Sequence, residues 1–189
     1  MPRGRRVNSN GEKSKQLLLE KAIELFSVNG YHQTKISDIV KAADLTQPTF
    51  YLYFQSKSAL FNDLNEQFKS EIQEIFENTK NVNSPEANLK HIFSYFVKNP
   101  QLTKIGFYES EQADQVKDIL LTEITDTLKR QSAGFEVNPD VDVDIVAESL
   151  LGSIERLTLT TLLTNKTTPA QLAGDLVNIY FAQEGRLVR

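Results

Sequence analysis

The sequence predicts an all-α protein of about nine helices, with three short helices at the N-terminal end and a larger helical body after them. Three observations predict it. Apolar residues recur at spacings of three and four in segment after segment. Cap and stop signals such as Asn29-Gly30, Ser84-Pro85, Asn99-Pro100 and Thr168-Pro169 divide those segments. No stretch of useful length alternates apolar and polar residues as a half-buried strand would.

Residues 1–12, with Arg3, Arg5, Arg6, Gly4 and Gly11, read as a flexible basic arm. From about Lys13 a first helix carries Leu18, Ala22, Leu25 and Phe26 on one stripe, and Asn29-Gly30 closes it because glycine accepts a left-handed C′ conformation. Thr34 is placed to cap a second helix whose apolar face is Ile36, Ile39, Val40 and Ala43. Thr46 is a good cap for a third, and Pro48 costs nothing there because the N–H of an early helical position has no intrahelical partner. Phe50, Tyr53 and Phe54 give that helix an aromatic inner face.

Ser56 caps a long fourth helix, to about Thr79, on Leu60, Leu64, Phe68, Ile72 and Phe76. Ser84-Pro85-Glu86 opens a fifth, to about Lys98, and Asn99-Pro100 restarts the chain into a sixth. A seventh spans about Gln112 to Ser132 and ends at Gly134; Phe135 to Asp142 reads as a loop. The eighth covers about Asp142 to Thr164, and Thr168-Pro169 starts a ninth that stops near Gly185.

Charge is unevenly distributed. Residues 1–60 hold nine Lys/Arg and five Asp/Glu, net +4, whereas residues 61–189 hold twelve and twenty, net −8, which together give the −4 of the chain. A basic N-terminal end on an acidic protein hints at a DNA-facing module. The absence of cysteine excludes disulfides, thiolate metal sites and cysteine nucleophiles. With only His32 and His91, no glycine-rich phosphate loop and none of the short catalytic signatures, an enzyme is not expected, nor any cofactor or metal. No signal peptide and no membrane-length apolar run is legible, so a cytoplasmic protein without membrane contact is expected.

Residues 34–54 have the pattern of a helix-turn-helix. The second helix of such a motif lies in the major groove and its first residues reach base edges. Gln47 can pair with an adenine edge and Pro48 can pack on a thymine methyl, with Thr49 beside them. Phe50 and Phe54 anchor the helix from behind. Tyr51 and Tyr53 carry hydroxyls able to donate to phosphate, and Lys57 stands where its ammonium can clamp the same strand.

Residues 13–61 resemble the tetracycline-repressor (TetR) family of bacterial regulators. The matching residues are Ala22-Ile23-Glu24-Leu25-Phe26, Asn29-Gly30-Tyr31, Thr34, Asp38-Ile39, Ala42-Ala43, the run Thr46 to Phe54, Lys57 and Leu60-Phe61. The resemblance implies a helix-turn-helix DNA-binding domain over 13–57 and a helical effector-binding and dimerisation domain over 58–189. It also implies a repressor that binds a palindromic operator in double-stranded DNA as a homodimer and leaves it when a small effector binds. Thr34 and Ser37 would then contact backbone or base, Gln47, Pro48, Thr49 and Leu52 would face bases or nearby phosphates, and Tyr51, Tyr53 and Lys57 would hold phosphates. Asp44 replaces the family's usual turn glycine, and aspartate tolerates the left-handed conformation such a turn needs. Leu52 stands where a polar residue or His is common, which narrows it to methyl contact or packing.

Two further sets of residues follow. Phe93, Phe96, Phe107, Tyr108 and Glu111 form an aromatic cluster with a nearby acid, suited either to a pocket for a largely apolar effector or to plain core. Gly152, Ile154, Leu159, Leu172, Leu176 and Ile179 lie on the last two helices, where they suit either a dimer interface or packing within the chain. Arg3, Arg5 and Arg6 fit either a minor-groove arm or solvated terminal charge. Against the repressor stands a protein that uses the same head only to bind a protein partner. Steep salt dependence of DNA binding separates the two.

Overall fold

A computed structural model describes residues 8–79, 84–109, 113–129 and 140–181. The described residues form nine α-helices and no strand. They are α1 (Asn8–Asn29), α2 (Ile36–Ala42), α3 (Gln47–Tyr51), α4 (Lys57–Thr79), α5 (Pro85–Lys98), α6 (Pro100–Lys104), α7 (Ala113–Lys129), α8 (Val143–Leu157) and α9 (Pro169–Tyr180). α6 and α8 each continue as a π-helical turn, Ile105–Glu109 and Thr158–Leu162. No described helix is long and apolar enough to cross a membrane.

Most of the expected caps form. The hydroxyls of Thr46, Ser56, Ser84 and Thr168 each accept a backbone N–H three residues on, at 3.4, 3.0, 3.2 and 3.2 Å. Gly30 takes φ +80° at the end of α1. Asp44 takes φ +52°, and around it Leu45 N donates to Val40 O (2.8 Å) and Asp44 N to Lys41 O (3.2 Å). That bond pair is a Schellman closure, which satisfies two carbonyls of α2 that would otherwise lack donors.

Three boundaries depart from expectation. α1 begins at Asn8, more than a turn before Lys13, so residues 8–12 are helix and not arm; Arg3, Arg5 and Arg6 lie outside the described residues. Thr34 does not cap α2. Lys35 occupies the cap position, and the Asp38 carboxylate accepts its N–H at 2.9 Å. α9 ends at Tyr180; Gly185, like Gly134 and most of the loop before Asp142, lies outside the described residues.

The head packs on a ring cluster. Phe26 meets Tyr31 and Phe61, each at 5.5 Å between centroids, and Tyr31 meets Phe61 at 4.6 Å. Since Phe61 belongs to α4, the helix that leaves the head is part of the head's own core. In the body, α5 runs along α9 and α7 along α8, while α4 touches α5, α7 and the π turn after α6. α1 touches α6 and the same π turn. There Gly106 allows an approach no other residue could: a Cβ on it would stand 2.3 Å from Phe68 Cδ1 of α4.

Candidate functional site

The helix-turn-helix presents its outer face as the residue pattern requires. α3 is short because its aromatic pair does the anchoring: Phe50 is fully buried and Phe54 nearly so, with ring centroids 5.5 Å apart. Their burial turns the other side outward. Gln47 and Pro48 are exposed, Tyr51 is 55% exposed and Leu52 78% exposed. Leaving a leucine and a tyrosine so open costs hydrophobic free energy that a partner surface would recover. Ser37 is exposed on α2, its hydroxyl 3.4 Å from the Asp38 carboxylate. Thr49 is half-buried, and its hydroxyl shares a 2.9 Å hydrogen bond with that of Thr46. Tyr53 is half-buried and reaches toward α1, its hydroxyl 3.5 Å from where a Cβ on Gly11 would stand.

Two residues expected at the DNA are engaged within the head. Thr34 is only 1% exposed, and its hydroxyl donates inward to Gly30 O at 2.9 Å. Its side chain therefore fastens the α1–α2 turn. Lys57 likewise turns inward. Its ammonium donates to Tyr31 O (2.7 Å) and Thr34 O (2.8 Å), lies 3.5 Å from His32 O, and sits 4.3 Å over the Tyr31 ring. An ammonium has three protons; with all three aimed at carbonyls, this one clasps the turn.

Of the two readings of the aromatic cluster of the body, its rings take the second. Phe93, Phe96 and Phe107 are fully buried and packed at tilted angles, Phe96 lying 6.4 Å from Phe93 and 5.6 Å from Phe107. They are core. Tyr108 donates to Glu155 O at 2.5 Å, tying the π turn after α6 to α8. Burial raises the pKa of that phenol well above the usual tyrosine value, and the Glu155 carboxylate raises it further, so the hydroxyl stays a donor. Glu155 itself pairs with Lys117 of α7 at 2.7 Å. Glu111 lies outside the described residues.

Among the described residues an apolar cavity lies elsewhere in the body, between α4, α5, α7 and α8. Apolar side chains such as Phe76, Leu89, Ile92, Leu120 and Leu150 line most of it, and Asn88, Glu123 and Thr127 supply its polar groups. Its volume is about 30 Å³, room for a water or two. Sequence reasoning missed it, although a signal was present: Leu120, Glu123, Ile124 and Thr127 are spaced as one helical face, and two of the four are polar.

The outer surface of α8 and α9 sorts the remaining residues. Gly152 is exposed, Leu159 is 40% and Ile179 71% exposed, and Ile145 joins them at 64%. Ile154, Leu172 and Leu176 are buried within the chain, at 1%, 4% and 1% exposure. Those three are corrected from interface to intrachain core, because α5 packs on the inner face of α9 and α7 on that of α8. Some of the small residues of α8 also serve the chain itself: the Tyr180 hydroxyl of α9 lies 2.7 Å from Ser153 Oγ and donates to Ser149 O at 2.9 Å.

Comparison with known proteins bears on this arrangement. The family model for bacterial regulatory proteins, tetR family, matches residues 18–64, which span the helix-turn-helix. Over 182 residues the chain is 37% identical to the HTH-type transcriptional regulator YdgC of Bacillus subtilis (strain 168), covering 92% of this chain and 93% of that protein. The chain belongs to the tetR family of bacterial regulatory proteins. It is a DNA-binding transcriptional regulator and not an enzyme. The fold agrees with solved tetR-type structures. A transcriptional regulator (TerR/AcrR family) from Aquifex aeolicus VF5 superposes with a TM-score of 0.72 at 23% identity, over 87% of this chain and 96% of that one. FadR of Bacillus subtilis in complex with stearoyl-CoA superposes with a TM-score of 0.69 at 21% identity, over 87% and 96%.

Proposed function

We propose that this tetR-family regulator is a dimeric repressor that reads a palindromic operator in the cytoplasm with α3 and leaves it when a small, largely apolar effector enters the body. One observation carries the DNA half of this reading. Gln47, Pro48 and Tyr51, with Leu52 at the C-cap, are all exposed on one short helix whose other side is locked by Phe50 and Phe54. Gln47 has the bidentate chemistry for adenine, Pro48 and Leu52 that for thymine methyls, and Tyr51 that for phosphate. Ser37 and Thr49 offer hydroxyls at the edges of this face, and Tyr53 a phenol behind it.

One chain has one recognition helix, and a palindrome needs two, one helical turn of DNA or a multiple apart. The exposed apolar residues Ile145, Leu159 and Ile179, with Gly152 allowing close approach, support dimerisation through α8 and α9. The cavity supports the effector half. Its walls come from α4, α5, α7 and α8, and α4 also belongs to the core of the head. An effector that spreads those helices would move α4, and with it α3, provided it binds the spread form more tightly than the closed one. The head over 13–57 and the body over 58–189 act on this reading as DNA-binding and effector-binding units.

Selection from a pool of randomised duplexes tests the reading. The expected result is an enriched inverted repeat bound by two chains, with affinity falling steeply as salt rises. A pool that yields no enriched sequence overturns it.

A further inference from the structure

The π turns that follow α6 and α8 meet at one hydroxyl. A helix leaves its i→i−4 ladder where a side chain enters that ladder. In α8 the side chain is Tyr108. In an unbroken helix Glu155 O would accept from Leu159 N, four residues on. Here the Tyr108 hydroxyl donates to Glu155 O at 2.5 Å, and the Leu159 N–H is directed at the same hydroxyl. Beyond this point the bonds span five residues, Leu163 N donating to Thr158 O at 2.9 Å. Tyr108 itself belongs to the π turn after α6, its ring held edge-on against Phe107 at 5.1 Å between centroids.

An orphan hydroxyl stands at the same break. Thr158 is fully buried, and its Oγ1 has no hydrogen-bond partner among the described residues. A helical threonine can bond the carbonyl three or four residues back, as Thr122, Thr127, Thr160 and Thr164 do. For Thr158 those carbonyls are Ile154 O and Glu155 O. Its own N–H is shared between both, and Tyr108 occupies the second. Withdrawal of the phenol would not leave Glu155 O bare, because Thr158 Oγ1 and Leu159 N are both spaced to take it. The end of α8 therefore has two hydrogen-bonded arrangements, and the one with the phenol in place leaves a buried hydroxyl unpaired.

From this geometry we infer that Tyr108 is a latch between the two π turns: its hydroxyl holds the end of α8 in π register and passes a shift of the α6 turn to the outer face of α8. On the near side, Gly106 of the same turn lies against Phe68 of α4, and α1 packs on that turn as well. On the far side stands Leu159, 40% exposed. Opening the latch changes the bonding partners of the segment by one residue and so re-aims what it presents outward. Lys117 of α7 holds the carboxylate of Glu155 at 2.7 Å, not its carbonyl, and is no part of the latch. The latch depends neither on what the cavity binds nor on what covers Leu159.

Amide hydrogen exchange of the full-length protein, read by mass spectrometry over residues 158–163, tests it. Tyr108→Phe keeps the ring and removes the hydroxyl. With neither arrangement held, exchange over 158–163 is expected to speed up roughly tenfold, the scale of one hydrogen bond, while α5 and α9 keep wild-type rates. Lys117→Met removes the ion pair on the same glutamate and is expected to leave 158–163 unchanged. Transmission is read by combination. Gly106→Ala pushes the α6 turn off Phe68; it is expected to speed exchange over 158–163 when Tyr108 is present and to add nothing there in the Tyr108→Phe background. Phe68→Leu, which loosens the same contact from the other side, replaces Gly106→Ala if that variant does not fold. Unchanged or slower exchange over 158–163 in Tyr108→Phe overturns the latch, as does a speeding spread evenly over the body, which marks general loss of stability. An α6-turn substitution that leaves 158–163 unaffected, or affects it equally with and without the hydroxyl, overturns transmission through Tyr108.

Discussion

Replacing Lys57 with methionine separates two roles for one side chain. Methionine keeps the length and apolar stem of lysine but removes the ammonium. In the structure that ammonium makes two short hydrogen bonds, to Tyr31 O and Thr34 O, and lies over the Tyr31 ring. Hydrogen bonds from a charged donor contribute about 1.5–3 kcal/mol, and a cation over an aromatic ring about 0.5–2 kcal/mol. The side chain is only half-buried and the contacts share one atom, so they do not add in full. A loss of about 2–3 kcal/mol is expected, with two carbonyls of the α1–α2 turn left without their donor. Urea unfolding, followed by tyrosine fluorescence because the chain has no tryptophan, reads the loss as a lower midpoint at unchanged slope. A phosphate clamp predicts the opposite pair of results: unchanged stability, and a salt dependence of DNA binding shallower by about one ion, since each phosphate neutralised adds about 0.9 to the slope. Observing that second pair would refute the clasp.

Other substitutions test other parts of the account. Phe50→Ala removes a fully buried ring from behind α3 and is expected to cost about 3–5 kcal/mol, unfolding the head and abolishing binding to every DNA sequence alike; circular dichroism beside a binding titration would show it. Gly106→Ala places a methyl against the Phe68 ring, and the overpacking, about 1–3 kcal/mol, should lower the melting temperature; an unchanged or raised value would mean that the contact between α4 and the π turn after α6 is looser than described. Ile179→Lys puts charge on an exposed position and should leave folding intact while halving the mass seen by light scattering; a mass that stays at two chains would place the interface elsewhere.

What could be read from the residues divides along a physical line. Local chemistry was legible: a hydroxyl three residues before a free N–H, a proline at an early helical position, or an aspartate in a left-handed turn acts on its own few neighbours, so Thr46, Ser56, Ser84, Thr168 and Asp44 do as expected. The outward face of α3 was legible because two phenylalanines four apart define its inward side. Direction was not legible where a residue had two competent partners. Lys57 suits a phosphate or a set of carbonyls, and only the fold brings Tyr31 O and Thr34 O to it. Leu172, Leu176 and Ile179 are equally apolar, yet α5 covers the first two and leaves Ile179 outside. Phe93, Phe96 and Phe107 suggested a pocket because rings can line one, but rings fill space well and these close on each other. The cavity fell to a face of α7 whose polar members hid it from a search for apolar stripes.

The central claim is that α3 reads bases, and the preference for the selected operator over a scrambled duplex of equal length measures it directly, in wild type and in Gln47→Ala at one salt concentration. Loss of a bidentate base contact predicts that the preference falls by about 1–3 kcal/mol, roughly five- to 150-fold, while affinity for the scrambled duplex stays where it was. A preference unchanged by the substitution, or equal weakening on both duplexes, would contradict base reading by this helix.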